Sequence, residues 1–136
     1  MRMTFLTSSL IAVFSVVAAI HTLWGFGFWF PLRDEAKLVR SVVGAKDATR
    51  MPGPIPCALV AGALVAVVMS LTAEPSCPRD ILLGLAALVL ILRGLLSWVP
   101  LWRRMAPREP FATLDRYAYG PLSLLLGLGL IRVIIG

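Results

Sequence analysis

Four stretches of this chain are almost free of charge, and their lengths limit what it can become. Uncharged runs extend from Phe5 to Phe30, from Met51 to Ala73 and from Tyr117 to Ile131; a fourth, from Ile81 to Trp102, is interrupted only by Arg93. About 20 helical residues at roughly 1.5 Å each cover the hydrocarbon core of a bilayer, so these runs read as membrane-crossing helices. Composition agrees, because only 15% of the residues are charged where a soluble domain has about a quarter. The expected fold is all-α: an integral membrane bundle of four transmembrane helices. It forms a single domain over residues 1–136, with spans near 5–30, 54–73, 81–102 and 118–135.

The connections carry the charge. The first, Leu32 to Arg50, holds Arg33, Lys37, Arg40, Lys46 and Arg50; the third holds Arg103, Arg104, Arg108 and Arg116. With four spans these two loops share a side, and their nine basic residues face Arg2, Arg79 and Arg132 on the other. Basic residues concentrate on the cytoplasmic face of a cell membrane, which places loops 1 and 3 in the cytoplasm and both termini outside. The net charge of +6 therefore speaks for orientation and contact with anionic lipid, not for nucleic acid. Arg2 and the small residues Ala18 and Ala19 resemble a signal peptide, but the apolar run continues to Phe30, and its length favours a retained helix.

Within the first connection, Leu32, Ala36, Val39, Val42 and Val43 recur at helical spacing opposite Arg33, Asp34, Lys37 and Arg40. Acidic residues come early, Arg40 comes late and Gly44 supplies a stop, an order that suits the helix dipole. This pattern predicts an amphipathic interfacial helix over about 32–43. Farther along, Ala58, Gly62, Ala66 and Ser70 form a stripe of small residues on the second span, expected to pack tightly against a neighbouring helix. Gly120, Ser123 and Gly127 give the last span a small face too. From Pro121 to Gly136 that span is only about 24 Å long, so it must begin earlier, with a kink at Pro121, or thin the bilayer.

Arg93 is the odd residue. A cation in mid-span costs about 2.5–3.5 kcal/mol on insertion scales and is normally given a partner. No Asp or Glu lies inside another apolar run. Three readings stay open: snorkelling toward headgroups, stacking on Trp24 or Trp98, and binding an anionic headgroup or ligand. His21 lies nine residues before Phe30, and Arg93 nine before Trp102, so both sit roughly 13 Å from the cytoplasmic boundary. His21, Trp24, Arg93 and Trp98 are accordingly grouped as a ligand-binding set, with Trp29 and Trp102 as interface anchors. For His21 itself, a hydrogen bond to a neighbouring helix or a carbonyl competes with axial metal-porphyrin ligation, acid–base work and simple packing.

No catalytic residue, metal set or cofactor emerges. A P-loop, nucleophile elbow, HExxH or CxxC is absent. Cys57 and Cys77 are separated by roughly 30 Å of helix, beyond the ~7 Å limit for a disulfide.

His21-Thr22-Leu23-Trp24-Gly25, Trp29-Phe30-Pro31 and the run from Asp115 to Ser123 resemble the ends of a bacterial family of small four-span membrane proteins, domain of unknown function 3995. Gly120 and Ser123 depart from the small hydroxyl and Cys more usual there, which argues against a reactive thiol. The resemblance implies four helices in a bacterial membrane and no particular activity. The expected function is a non-enzymatic membrane protein that binds a lipid-like or anionic ligand, or serves as an accessory subunit. Its partners are membrane lipids and either further copies of itself or a larger membrane complex. The alternative is a membrane-embedded enzyme or cofactor-binding protein using His21 and Arg93 in one pocket.

Overall fold

The computed structural model describes residues 4–136, so Arg2 lies outside the described residues. All regular secondary structure among the described residues is helical: α1 (Phe5–Gly25), α2 (Glu35–Val42), α3 (Pro54–Thr72), α4 (Cys77–Leu96), α5 (Pro100–Met105), α6 (Phe111–Leu114), a π-helical turn (Asp115–Tyr119) and α7 (Gly120–Ile135). Three helices are long and apolar enough to cross a membrane: Phe5–Gly25, Pro54–Thr72 and the continuous helix Phe111–Ile135. α4 has the length as well but carries Arg79, Asp80 and Arg93.

Local chemistry explains the boundaries. Thr4 caps α1, its hydroxyl accepting from the Thr7 N–H at 3.2 Å. α1 ends at Gly25 rather than Phe30, because Gly27 takes a positive φ of 81° and the chain turns through Trp29 and Pro31. α4 starts at Cys77 rather than Ile81, since Pro78 is tolerated in a first helical turn. It stops at Leu96 rather than Trp102: Val99 precedes Pro100, which drives it to extended backbone (φ −71°, ψ 126°), and Pro100 then opens α5.

The last helix does begin earlier than Pro121, at Phe111. The irregularity near Pro121 is a π turn, in which the Gly120 N–H reaches back five residues to the Asp115 carbonyl. Pro121 lacks an N–H and its ring crowds the carbonyl four residues earlier, so a locally widened turn accommodates it without breaking the helix.

α1 packs along α3 and α4 along α7, with smaller contacts between α3 and α4 and between α1 and α7. All four contribute to one core of Leu10, Phe14, Val67, Leu71, Leu83, Ala87 and Leu130. The small-residue stripe on α3 is turned away from it. Ala58 and Gly62 are exposed, Ala66 and Ser70 only half-buried, and a Cβ on Gly62 would meet nothing within 4 Å. α3 packs instead through Cys57, Ala61, Val67 and Leu71, a face rotated from the stripe.

Close backbone approach occurs between α4 and α7. A Cβ at Gly127 would lie 2.7 Å from Ile91 Cγ1 and 3.0 Å from the Ala87 carbonyl oxygen, and one at Gly94 would lie 2.8 Å from the Gly120 carbonyl oxygen.

The two basic connections dock on each other at one end of the molecule. The Lys46 N–H donates to Met105 O and the Arg108 N–H to Gly44 O, and the Tyr119 hydroxyl reaches Ser41 O at 3.0 Å. Gly44, at φ 64°, ends the α2 segment with its N–H on Val39 O and lies against Phe111. α2 forms as the periodicity predicts, over a shorter stretch, capped by Asp34. Leu38 and Val39 are buried with Trp24, Trp29 and Met51, so its apolar side is turned onto the protein itself.

Candidate functional site

Two polar centres stand out, one on each helix pair. The first is His21 in the last turns of α1. Its Nδ1 lies 2.9 Å from the Val17 carbonyl oxygen, one turn back on the same helix. A carbonyl only accepts, so Nδ1–H is the donor in this contact. The imidazole also meets the Trp24 ring, with centroids 4.9 Å apart and planes at 54°. Trp24 is held in turn by its indole N–H, which donates to Phe30 O at 2.8 Å.

Pro54 and Pro56 start α3 beside this end of α1, where Gly25 lies close to Cys57 and Pro54, and hollows flank the contact. One, of about 350 Å³, is lined by His21, Thr22, Gly25, Phe26 and the α3 residues Pro54, Ala58 and Ala61. A smaller one of about 150 Å³ includes His21, Trp24, Met51, Cys57 and Val60. Both walls are mainly apolar, with the imidazole as their one titratable nitrogen base.

The second centre gathers around Arg93, in the last turn of α4. Its Nη2 forms an ion pair with Asp115 Oδ1 at the start of the π turn. The other carboxylate oxygen accepts from the Trp102 indole N–H at 2.9 Å, and the guanidinium lies 5.4 Å from the Trp102 ring centroid. Asp115 is buried, with 4% of its side chain exposed against 32% for Arg93. Nη1 of Arg93 is buried without a hydrogen-bond partner among the described residues. The arrangement ties α4, α5 and the π turn together and cancels the arginine's charge. A buried pair of this kind is worth little against an apolar replacement, but removing one member costs about 3–5 kcal/mol.

Of the grouped residues His21, Trp24, Arg93 and Trp98, the structure brings together the first two. Arg93 stacks on Trp102, not on Trp24 or Trp98; the break at Val99–Pro100 turns Trp102 back over the guanidinium, and Trp98 is exposed. Arg93 lines neither hollow around His21. α1 and α4 belong to different helix pairs. Asp115 was missed because it stands two residues before the uncharged run that starts at Tyr117; the helix that run belongs to extends back past it. Cys57 and Cys77 are both free. Among the described residues no three of His, Cys, Asp and Glu gather as a metal set.

These features define an all-helical protein with three helices apolar enough to cross a membrane and an arginine–aspartate pair clasping two of its helices. The chain belongs to the family described as protein of unknown function (DUF3995), whose profile matches residues 14–130 and so takes in His21, Arg93, Trp102 and Asp115. No curated protein and no solved structure gives a match.

Proposed function

We propose that this is a small, non-enzymatic membrane protein that crosses the bilayer four times and holds a lipid-like molecule in the groove between α1 and α3. The observation that carries the ligand reading is the apolar hollow at His21, about 350 Å³ in volume. Pockets for small ligands are mostly apolar with a few placed polar groups, and His21 and Thr22, whose hydroxyl donates to Ala18 O, supply the polar side chains here. Arg93, matched by Asp115, has no net charge left to attract an anion. The enzymatic alternative draws on His21 and Arg93 together, and that pairing gains no support from helices packed on different partners.

Four crossings are supported by α4. Its charges sit in its first and last turns, Arg93 is paired, and Ile81, Leu85, Leu88, Val89 and Leu92 form an exposed apolar face suited to lipid. The docking of the first and third connections supports placing their nine basic residues on one side, the cytoplasmic one. A reporter fused after Gly136 is then expected to be active outside the cytoplasm only; cytoplasmic activity overturns the topology.

Native mass spectrometry of the detergent-solubilised protein tests the ligand. Wild type should retain a lipid-sized adduct, and Ala58→Trp, which fills the hollow from an exposed position, should lose it. An adduct unchanged in Ala58→Trp, or none in wild type, removes the groove reading. The exposed Gly62 face favours a second role for α3, packing against another copy or subunit, which the same spectra report as oligomer mass.

A further inference from the structure

Where the two basic connections dock, a pocket of about 300 Å³ lies between α2 and the third connection, lined by Leu32, Lys37, Arg40, Ser41 and Pro110. Lys37, Arg40 and Ser41 are three and four residues apart on α2, so they share one helix face. Two of the five lining residues are cationic and none is acidic. The acids on these segments bond backbone N–H groups and pair with neither cation: Asp34 accepts from Lys37 N–H, Glu35 from Met51 N–H and Glu109 from Thr113 N–H.

Among the described residues the Lys37 ammonium has no acceptor, and Arg40 uses only its Nε, which donates to Glu109 O at 3.3 Å. That bond anchors the guanidinium across the two connections and leaves both terminal nitrogens free to form a fork. The Ser41 carbonyl is fixed by the Tyr119 hydroxyl, which steadies this side of the pocket against α7. Two unpaired cations converging on a small pocket suit an oxyanion, because charge-assisted hydrogen bonds to phosphate are stronger than neutral ones and a guanidinium offers two in parallel.

The surroundings choose the source. Leu32 lines the pocket and is 44% exposed, and Phe28 and Phe30, two and four residues before it in the chain, are exposed in a separate hollow with Arg33. Apolar side chains beside a cationic pocket match a molecule that is anionic at one end and hydrocarbon at the other. We propose that the Lys37–Arg40 pocket binds a phosphate oxyanion supplied by the headgroup of an anionic phospholipid. This site is separate from the α1–α3 groove and does not depend on it.

Lipid titration of the full-length protein in detergent, read by native mass spectrometry, tests the proposal with phosphatidylglycerol and phosphatidylcholine as probes. Wild type should bind phosphatidylglycerol more tightly than phosphatidylcholine. Lys37→Gln should weaken phosphatidylglycerol about tenfold, the equivalent of one charge-assisted contact, and Lys37→Arg should restore it. Arg104→Gln removes the same charge from an exposed site outside the pocket and should leave binding unchanged. Equal losses in Lys37→Gln and Arg104→Gln mean diffuse charge and overturn the site. Equal binding of the two lipids overturns the headgroup. If excess inorganic phosphate binds alone and displaces phosphatidylglycerol, the oxyanion is a soluble one and the lipid source is wrong.

Discussion

The α4–α7 pair and the α1–α3 pair are built from similar apolar sequence and end up doing different things. Between α4 and α7, Gly94, Gly120 and Gly127 bring the backbones together, and the pair is clasped by Arg93, Asp115 and Trp102. Between α1 and α3, Gly25 lies close to Cys57 and Pro54, Leu10 and Phe14 share the core with Val67 and Leu71, and open hollows remain beside the contact near His21. Close approach maximises van der Waals contact and leaves no space for a guest. Beside α1 and α3 the packing leaves open hollows lined by few polar groups. The difference is one of packing: one pair is clasped at close backbone contact, and the other borders the hollows to which the proposed ligand is assigned.

The largest effect that can break this contrast is loss of the clasp. Asp115→Asn keeps the shape of the side chain but leaves Arg93 without its counter-charge, and should lower stability by about 3 kcal/mol in equilibrium unfolding of the detergent-solubilised protein. A change near zero would mean that the pair contributes nothing to holding α4 on α7. A smaller effect separates the glycines. Gly127→Leu forces side-chain atoms onto Ile91 and the Ala87 carbonyl and should cost about 1–3 kcal/mol. Gly62→Leu faces open space and should stay within about 0.5 kcal/mol. If Gly62→Leu proves as damaging as Gly127→Leu, then α3 is covered in solution, and the open half of the contrast is an interface with a second copy.

Arg93 was legible as an anomaly from its neighbours in sequence, and its partner was not. Asp115 lies 22 residues away, outside the uncharged run, and reaches the guanidinium only because the last helix extends back to Phe111 through a π turn. Pro121 signalled an irregularity at that place, yet a proline fixes its own φ and removes one donor without dictating which kind of turn absorbs the strain. Trp102 likewise looked like a headgroup anchor, until the bend at Val99–Pro100 laid it over Arg93.

What the sequence determined by itself were the properties that arise within a few residues of each other. The apolar runs specified helices; the charge order from Asp34 to Arg40 and the stop at Gly44 marked α2; and the resemblance at both ends of the chain identified the family. The tertiary structure alone decided how each helix is rotated about its axis. A small-residue stripe such as Ala58, Gly62, Ala66 and Ser70 can seat a neighbour or face outward, because in a chain this apolar both faces of a helix are greasy and hydrophobicity does not tell them apart. Rotation follows from packing summed over several helices at once, which is why glycines of α4 and α7, and not Gly62 of α3, became the close contact, and why His21 and Arg93 came to rest on different helix pairs.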